Sequence, residues 1–335
     1  MDYKKLIAES WGYTQANKKL IRWFGFFPAL FTTTVGVGYM LYQFFAFKAS
    51  FLFSEKEDHF LFDVLGTIWE FVKTHVSWTL PFVIVGIIFL LFYLLFPTLA
   101  KASAIQTISR NRTGQKDAGV GTGLKHGIMS YLPLFEFHLL IKAFAFFSIL
   151  IEMSFVIRNL GISIFQILLP VFILAILISL FLMLLFVYTD LYIVIDDLGV
   201  FQAMKASAKL VVTNWTHTFL ITILMVMIGI RILIQAFFVF LVPILIVGLI
   251  GYITSVALPI TAIAIGGGVG VIALFVAAYI NGIVDVFSYA VWTFTFLELT
   301  SQQELSARGE VIVDDIGEGT PADHHDELDG HENLE

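Results

Sequence analysis

The chain alternates short amphipathic stretches with long apolar runs. Wound as a helix, its start places Tyr3, Leu6, Ile7, Ser10, Trp11 and Thr14 on one face, with Lys5, Glu9 and Lys19 opposite. The arrangement returns later: Val200, Phe201, Met204, Ala208 and Val211 share a face, and Gln202, Lys205, Lys209 and Thr213 lie opposite. A weaker third copy, Val120, Leu124 and Ile128, is diluted by Gly119, Gly121, Gly123 and Gly127. These stretches predict interfacial helices over 3–19, 118–130 and 199–213, apolar face down. Lys5, Lys19, Lys205 and Lys209 would then reach anionic lipid headgroups. Ser10 followed by Asn17 recurs as Ser207 followed by Asn214, each pair leading into an apolar run. The implied unit is interfacial helix, span, outer loop, span, repeated three times as helical hairpins.

About 20 apolar residues cross a bilayer core as a helix. That ruler predicts spans near 21–47, 76–100, 131–155, 162–189, 216–253 and 262–298. The expected fold is therefore all-α: a polytopic integral membrane protein of six spans over residues 1–300. After Trp215 the chain stays apolar to Leu299, interrupted by Pro243, Pro259 and several glycines, which leaves seven or eight spans as an alternative.

Composition agrees, with 59% hydrophobic and 13% charged residues and a mean hydropathy of +0.90. No soluble domain buries that much apolar surface. With no cysteine, disulfides and thiolate metal sites are excluded. The N-terminus lacks the short apolar core and small-residue cleavage site of a signal peptide. Residues 301–335 hold eleven acidic residues and one arginine, so the net charge of −7 conceals a tail at −10 and a body at +3. That composition predicts a disordered acidic tail available to a protein partner. His324, His325 and His331 in it read as solvated rather than as metal ligands.

Lys and Arg mark cytoplasmic loops. The start carries Lys4, Lys5, Lys18, Lys19 and Arg22; the segment after the second span carries Lys101, Arg110, Arg112, Lys116 and Lys125; and Lys205 and Lys209 follow the fourth. The alternate loops hold only Lys48, Lys56, Lys73 and Arg158. Both termini are thus expected in the cytoplasm, in a membrane of the prokaryotic plasma-membrane kind.

Three groups of residues carry a resemblance: Ser10-Trp11 ahead of Asn17-Lys18-Lys19-Leu20; Tyr188 to Asp197 followed by Ala203-Met204-Lys205-Ala206-Ser207 and Asn214-Trp215; and Val286-Phe287-Ser288-Tyr289. Their order resembles the six-span YciC-like proteins and the glycerophosphodiester-phosphodiesterase membrane domain. The resemblance implies the fold and no activity, because the phosphodiesterase members carry catalysis in a separate soluble portion.

Ionisable groups within a bilayer are costly and call for partners. Tyr131 to Phe155 contains Glu136, His138, Lys142 and Glu152. Lys142 falls about 16 Å into that span, and Asp285 about 20 Å from Glu298 on the last one, a comparable depth. A buried network of Lys142, Asp285, His138 and Asn281 is expected, either as a structural ion pair or as a proton or ion relay. Asp190, Asp196 and Asp197 read as interfacial, with Asp196 or Asp197 capping the next helix. Gly266 and Gly270 have the spacing of a close helix contact. Gly119 to Gly123 lacks the spacing of a phosphate loop. The basic loops lack the interleaved aromatics that nucleic acid requires. No catalytic motif, metal set or cofactor site is expected. The favoured function is a non-enzymatic membrane scaffold or accessory protein; the rival is a transporter or channel for a small solute or lipid.

Overall fold

A computed structural model describes residues 2–51, 70, 73–74, 76–115, 119–142, 146–232, 234, 248 and 259–317. Of these, 40–51, 76–78, 82, 142, 146–147, 158–159, 259–266 and 304–317 are described by their backbone alone. There is no strand among the described residues. In chain order come α1 (Tyr3–Ala16), α2 (Lys18–Leu20), a π-helical turn (Ile21–Phe26), α3 (Phe27–Phe51) and α4 (Val76–Arg112). Next are α5 (Val120–Met129), α6 (Tyr131–Lys142), α7 (Phe146–Leu160), α8 (Ile162–Leu185), α9 (Thr189–Ile195) and α10 (Val200–Thr213). The series closes with α11 (Trp215–Ile232) and α12 (Pro259–Gly317).

The chain divides into two units, Met1–Phe296 and Leu297–Glu335. In the second, helix continues to Gly317, where sequence composition predicts a disordered tail from residue 301. Gln302, Gln303, Glu304, Leu305 and Ala307 are good helix formers and propagate a helix already begun. Residues 318–335, with the three tail histidines, lie outside the described residues.

Among the described residues, five helices are long and apolar enough to cross a membrane: Lys18–Tyr39, Thr79–Arg112, Ile162–Ile195, Trp215–Ile232 and Gly267–Gln303. The protein is an all-α polytopic membrane protein. The expected span over 131–155 is described in two apolar helical pieces, Tyr131–Ile141 and Ser148–Ile157, and the residues 143–145 between them lie outside the described residues. Apolar side chains on the spans point outward: Val85 is 63% exposed, Ile167 76% and Met227 64%. Apolar surface of that extent suits a lipid surrounding.

The tight packing lies elsewhere. At 37 residues α4 is about 56 Å long, nearly twice the ~30 Å hydrocarbon core. Its later part is buried on several sides, through Ala100, Ala102, Ser103, Ala104, Ile105, Thr107 and Ile108. The basic segment expected as a loop after residue 100 is therefore helical up to Arg112. Its small residues let α5 come close: a Cβ on Gly127 would stand 2.7 Å from the Ser103 nitrogen, and Gly123 faces Thr107. Gly123 and Gly127 form the packing face of α5, and Gly121 lies outside it.

In α1 the buried residues are Leu6, Ser10 and Thr14. Trp11 meets Phe287 edge-on at 5.5 Å and Tyr13 meets Phe294 at 5.8 Å. The Tyr3 hydroxyl bonds His217 Nδ1, and Glu9 pairs with Arg112 at 2.9 Å. Burial pushes the Tyr13 phenol up from its ordinary pKa, opposed by a hydrogen bond from Asn111. The apolar face expected on lipid thus lies largely on α4, α11 and α12. Likewise α10 buries Val200, Ala203, Ser207, Leu210 and Val211, whereas Phe201, expected on that face, is 74% exposed. The N-cap of α10 is Gly199, not Asp196 or Asp197, and Asp197 takes a positive φ of 54° in the preceding turn. Asn17 and Asn214 end their helices alike, each amide donating four residues back, to Tyr13 O (2.8 Å) and Leu210 O (3.2 Å).

Backbones also approach closely at Gly25, where an added Cβ would collide with the Gly282 backbone of α12, and the reverse holds at Gly282. Pro28 follows the π turn. Its ring cannot donate to the Phe24 carbonyl, and the wider turn absorbs that defect. At Gly270, where close contact was expected, an added Cβ meets nothing within 4 Å; the side-chain surroundings of position 266 lie outside the described residues.

Candidate functional site: an amphipathic cavity

A cavity of about 550 Å³ opens within the first unit. Lys101 and Ile105 of α4 line it, with Phe137, His138 and Ile141 of α6 and Ser179, Leu180, Leu182 and Met183 of α8. Phe186, Val187, Asp190 and Leu191 follow from the α8–α9 junction, then Ser288, Tyr289 and Trp292 of α12. Most of the wall is apolar. Leu180 (49%) and Met183 (64%) are also exposed on the outside of a span, so the cavity borders the lipid-facing surface.

The charged groups gather at one end. Lys101 Nζ pairs with Asp190 Oδ2. His138 Nε2 lies 3.2 Å from Asp190 Oδ1, and His138 Nδ1 lies 3.4 Å from Thr98 Oγ1. The buried Asp190 Oδ1 therefore has the His138 ring beside it. Lys101 also lies within electrostatic reach of Asp285, and its Nζ stands 5.9 Å from the Tyr289 ring centre.

Asp190 is held by the way α8 ends. After Leu185 the helix breaks, and the buried Ser207 of α10 bridges the break. Its hydroxyl donates to Leu185 O at 2.9 Å and accepts from Tyr188 N at 3.2 Å. Tyr188 bonds Thr218 Oγ1 at 3.2 Å and packs edge-on against Trp292. Gln106 of α4 donates to Val194 O and fixes the far end of α9.

The sequence-derived network is partly realised. His138 joins the cluster and Asp285 lies near it, but both centre on Lys101 and Asp190. The Lys142 side chain lies outside the described residues. Asn281 bonds Thr33 Oγ1 of α3 at 3.1 Å and does not share the site. Lys101 was assigned to a loop and Asp190 to the interface. A signal for each exists: Lys101 sits in Leu-Ala-Lys-Ala-Ser-Ala-Ile, and Asp190 in Tyr-Thr-Asp-Leu-Tyr-Ile-Val, both too apolar for free loops. Lys5, Lys19, Lys205 and Lys209 are all exposed. No group of three or more acidic or histidine residues suited to a metal occurs among the described residues.

No family model matches the chain, and no curated protein or solved structure matches it either.

Proposed function

We propose that this chain is a membrane protein that holds a small amphiphilic molecule in the cavity, in the manner of a transporter or lipid-handling protein. The observation carrying the reading is a drug-sized void with apolar walls and charged groups at one end, bordering the lipid-facing surface. A sealed, fully packed interior would instead have favoured the scaffold.

The scaffold or accessory role is the second reading, supported by the dense packing of α1, α4, α5 and α10 and by the exposed lysines. In either case we place both termini, and Lys5, Lys19, Lys205 and Lys209, on the cytoplasmic side facing anionic lipid. We also keep six spans, with α6 and α7 together forming the third. Ser10 to Asn17, Gly123 to Ser130 and Ser207 to Asn214 share a buried small residue seven positions before a helix end, which supports a threefold repeat. The quoted motifs support kinship with the six-span group named above.

Native mass spectrometry from a mild detergent tests the cavity. One retained molecule per chain is expected in the wild type. It should be lost in Ser179→Phe, which fills the space from a buried position on the cavity wall. A bare wild-type chain, or equal retention in the variant, would leave the scaffold.

A further inference from the structure

We infer that the occupant of this cavity is a lipophile that presents an acceptor oxygen, of the ester or ketone kind, to the Lys101 ammonium. The inference rests on the cavity reading above and adds the chemistry of the ligand's head. An ammonium carries three N–H donors and no acceptor. Asp190 Oδ2 takes one of those of Lys101, and no other acceptor bonds its Nζ among the described residues. The Tyr289 ring, centred 5.9 Å from Nζ, offers a face and not a lone pair. The Lys101 side chain lines the void and is 26% exposed, so the polar end of the cavity has donors to spare.

The other ionic groups at that end are committed. Both His138 ring nitrogens have neighbours, Asp190 Oδ1 at 3.2 Å from Nε2 and Thr98 Oγ1 at 3.4 Å from Nδ1. Asp190 gives Oδ2 to Lys101, and its Oδ1 is buried beside His138. The carboxylate therefore has no open oxygen for a ligand. Hydroxyls on the wall, those of Ser179, Ser288 and Tyr289, donate and accept alike and set no preference. Lys101, and in lesser degree the Trp292 indole, donate without accepting, which tips the balance toward an acceptor. A donor left unmatched in apolar surroundings is costly, and a bond from a charged donor is among the stronger ones. The apolar wall of Ile141, Leu180 and Met183 suits an alkyl or aromatic body arriving from the bilayer.

Probes of matched size test this. The full chain, in nanodiscs of an ether-linked phosphatidylcholine that carries no ester, would be titrated with methyl laurate and with pentadecane. The first only accepts; the second has as many heavy atoms and no polar one. Expressing each probe as a mole fraction of the bilayer removes differences in partitioning. The readout is the part of the tryptophan fluorescence change that Ser179→Phe abolishes, since Trp292 and Ser179 line the same cavity. The ester should half-saturate at a mole fraction about tenfold below that of the alkane, the effect of one hydrogen bond from a charged donor. Dodecylamine, cationic at neutral pH and then without an acceptor, should bind no tighter than the alkane. Lys101→Met combined with Asp190→Leu removes the ion pair without stranding either charge, and should bring the ester to the level of the alkane. Three results overturn the inference and leave the cavity reading standing: equal binding of ester and alkane, an amine that binds as tightly as the ester, or an ester preference that survives in the double variant. No saturable signal from any probe overturns both. If the double variant fails to fold, the wild-type comparison of the three probes decides.

Discussion

Replacing Ser207 with alanine removes one oxygen atom and two hydrogen bonds, one buried and one part-buried. Ser207 and Tyr188 are both fully buried, and the hydrogen bond to Tyr188 N is buried while that to Leu185 O is part-buried. Each stranded backbone group costs about 1–3 kcal/mol. Alanine returns a few tenths of a kcal/mol through better helix propensity, leaving a net loss of about 2–4 kcal/mol. Ser10 is an internal control. It is equally buried and sits at the matching point of α1, but its hydroxyl only donates back to Leu6 O of its own helix at 2.8 Å. Such back-bonding adds little to helix stability, so Ser10→Ala should cost less than about 1 kcal/mol. Unfolding by sodium dodecyl sulfate in mixed micelles, followed by circular dichroism, measures both. Equal losses in the two variants, or a Ser207→Ala loss below about 0.5 kcal/mol, would refute the bridging role.

The same assay reads three further changes. Lys101→Met strands Asp190 and should cost toward the lower end of ~3–5 kcal/mol, since the Lys101 side chain keeps 26% of its exposure. Adding Asp190→Leu should recover part of that loss, and a double variant worse than the single would exclude a true pair. Gly282→Ala drives a methyl group into the Gly25 backbone and should cost about 1–3 kcal/mol; a neutral result would mean the crossing is looser than described. Glu9→Gln removes a half-exposed ion pair with Arg112 and should cost less than about 1 kcal/mol, a loss that shrinks further in high salt.

Apolar run length was enough to read the helical membrane fold, because a helix is the economical way for a single chain to carry its backbone through hydrocarbon. It failed at α4, where the hydrophobic ruler stops near residue 100 but the helix does not: alanines and serines continue it without looking like a span. The amphipathic faces of α1 and α10 were legible too, but not what covers them. A stripe such as Leu6, Ser10 and Thr14 looks the same whether lipid or Phe287 lies over it, and only the small polar members hint at protein. The ionic cluster was half visible. His138 and Asp285 stand out as charges in spans, whereas Lys101 and Asp190 lie at span ends, where charge is ordinary, and only folding brings them together from 89 positions apart.

The division between a lipid-covered exterior and a packed set of small residues has an evolutionary consequence. Positions such as Val85, Ile167 and Met227 are exposed, and many apolar side chains of moderate size would serve there. Gly25, Gly127, Ser207 and Gly282 have almost no acceptable replacement. Descendants of a common ancestor would therefore exchange Leu, Ile, Val and Phe freely over most of their length while keeping a sparse skeleton of glycine, serine and asparagine. Kinship in such a lineage is carried by spacing, as in the seven-residue step from Ser207 to Asn214, and overall identity fades long before the architecture does.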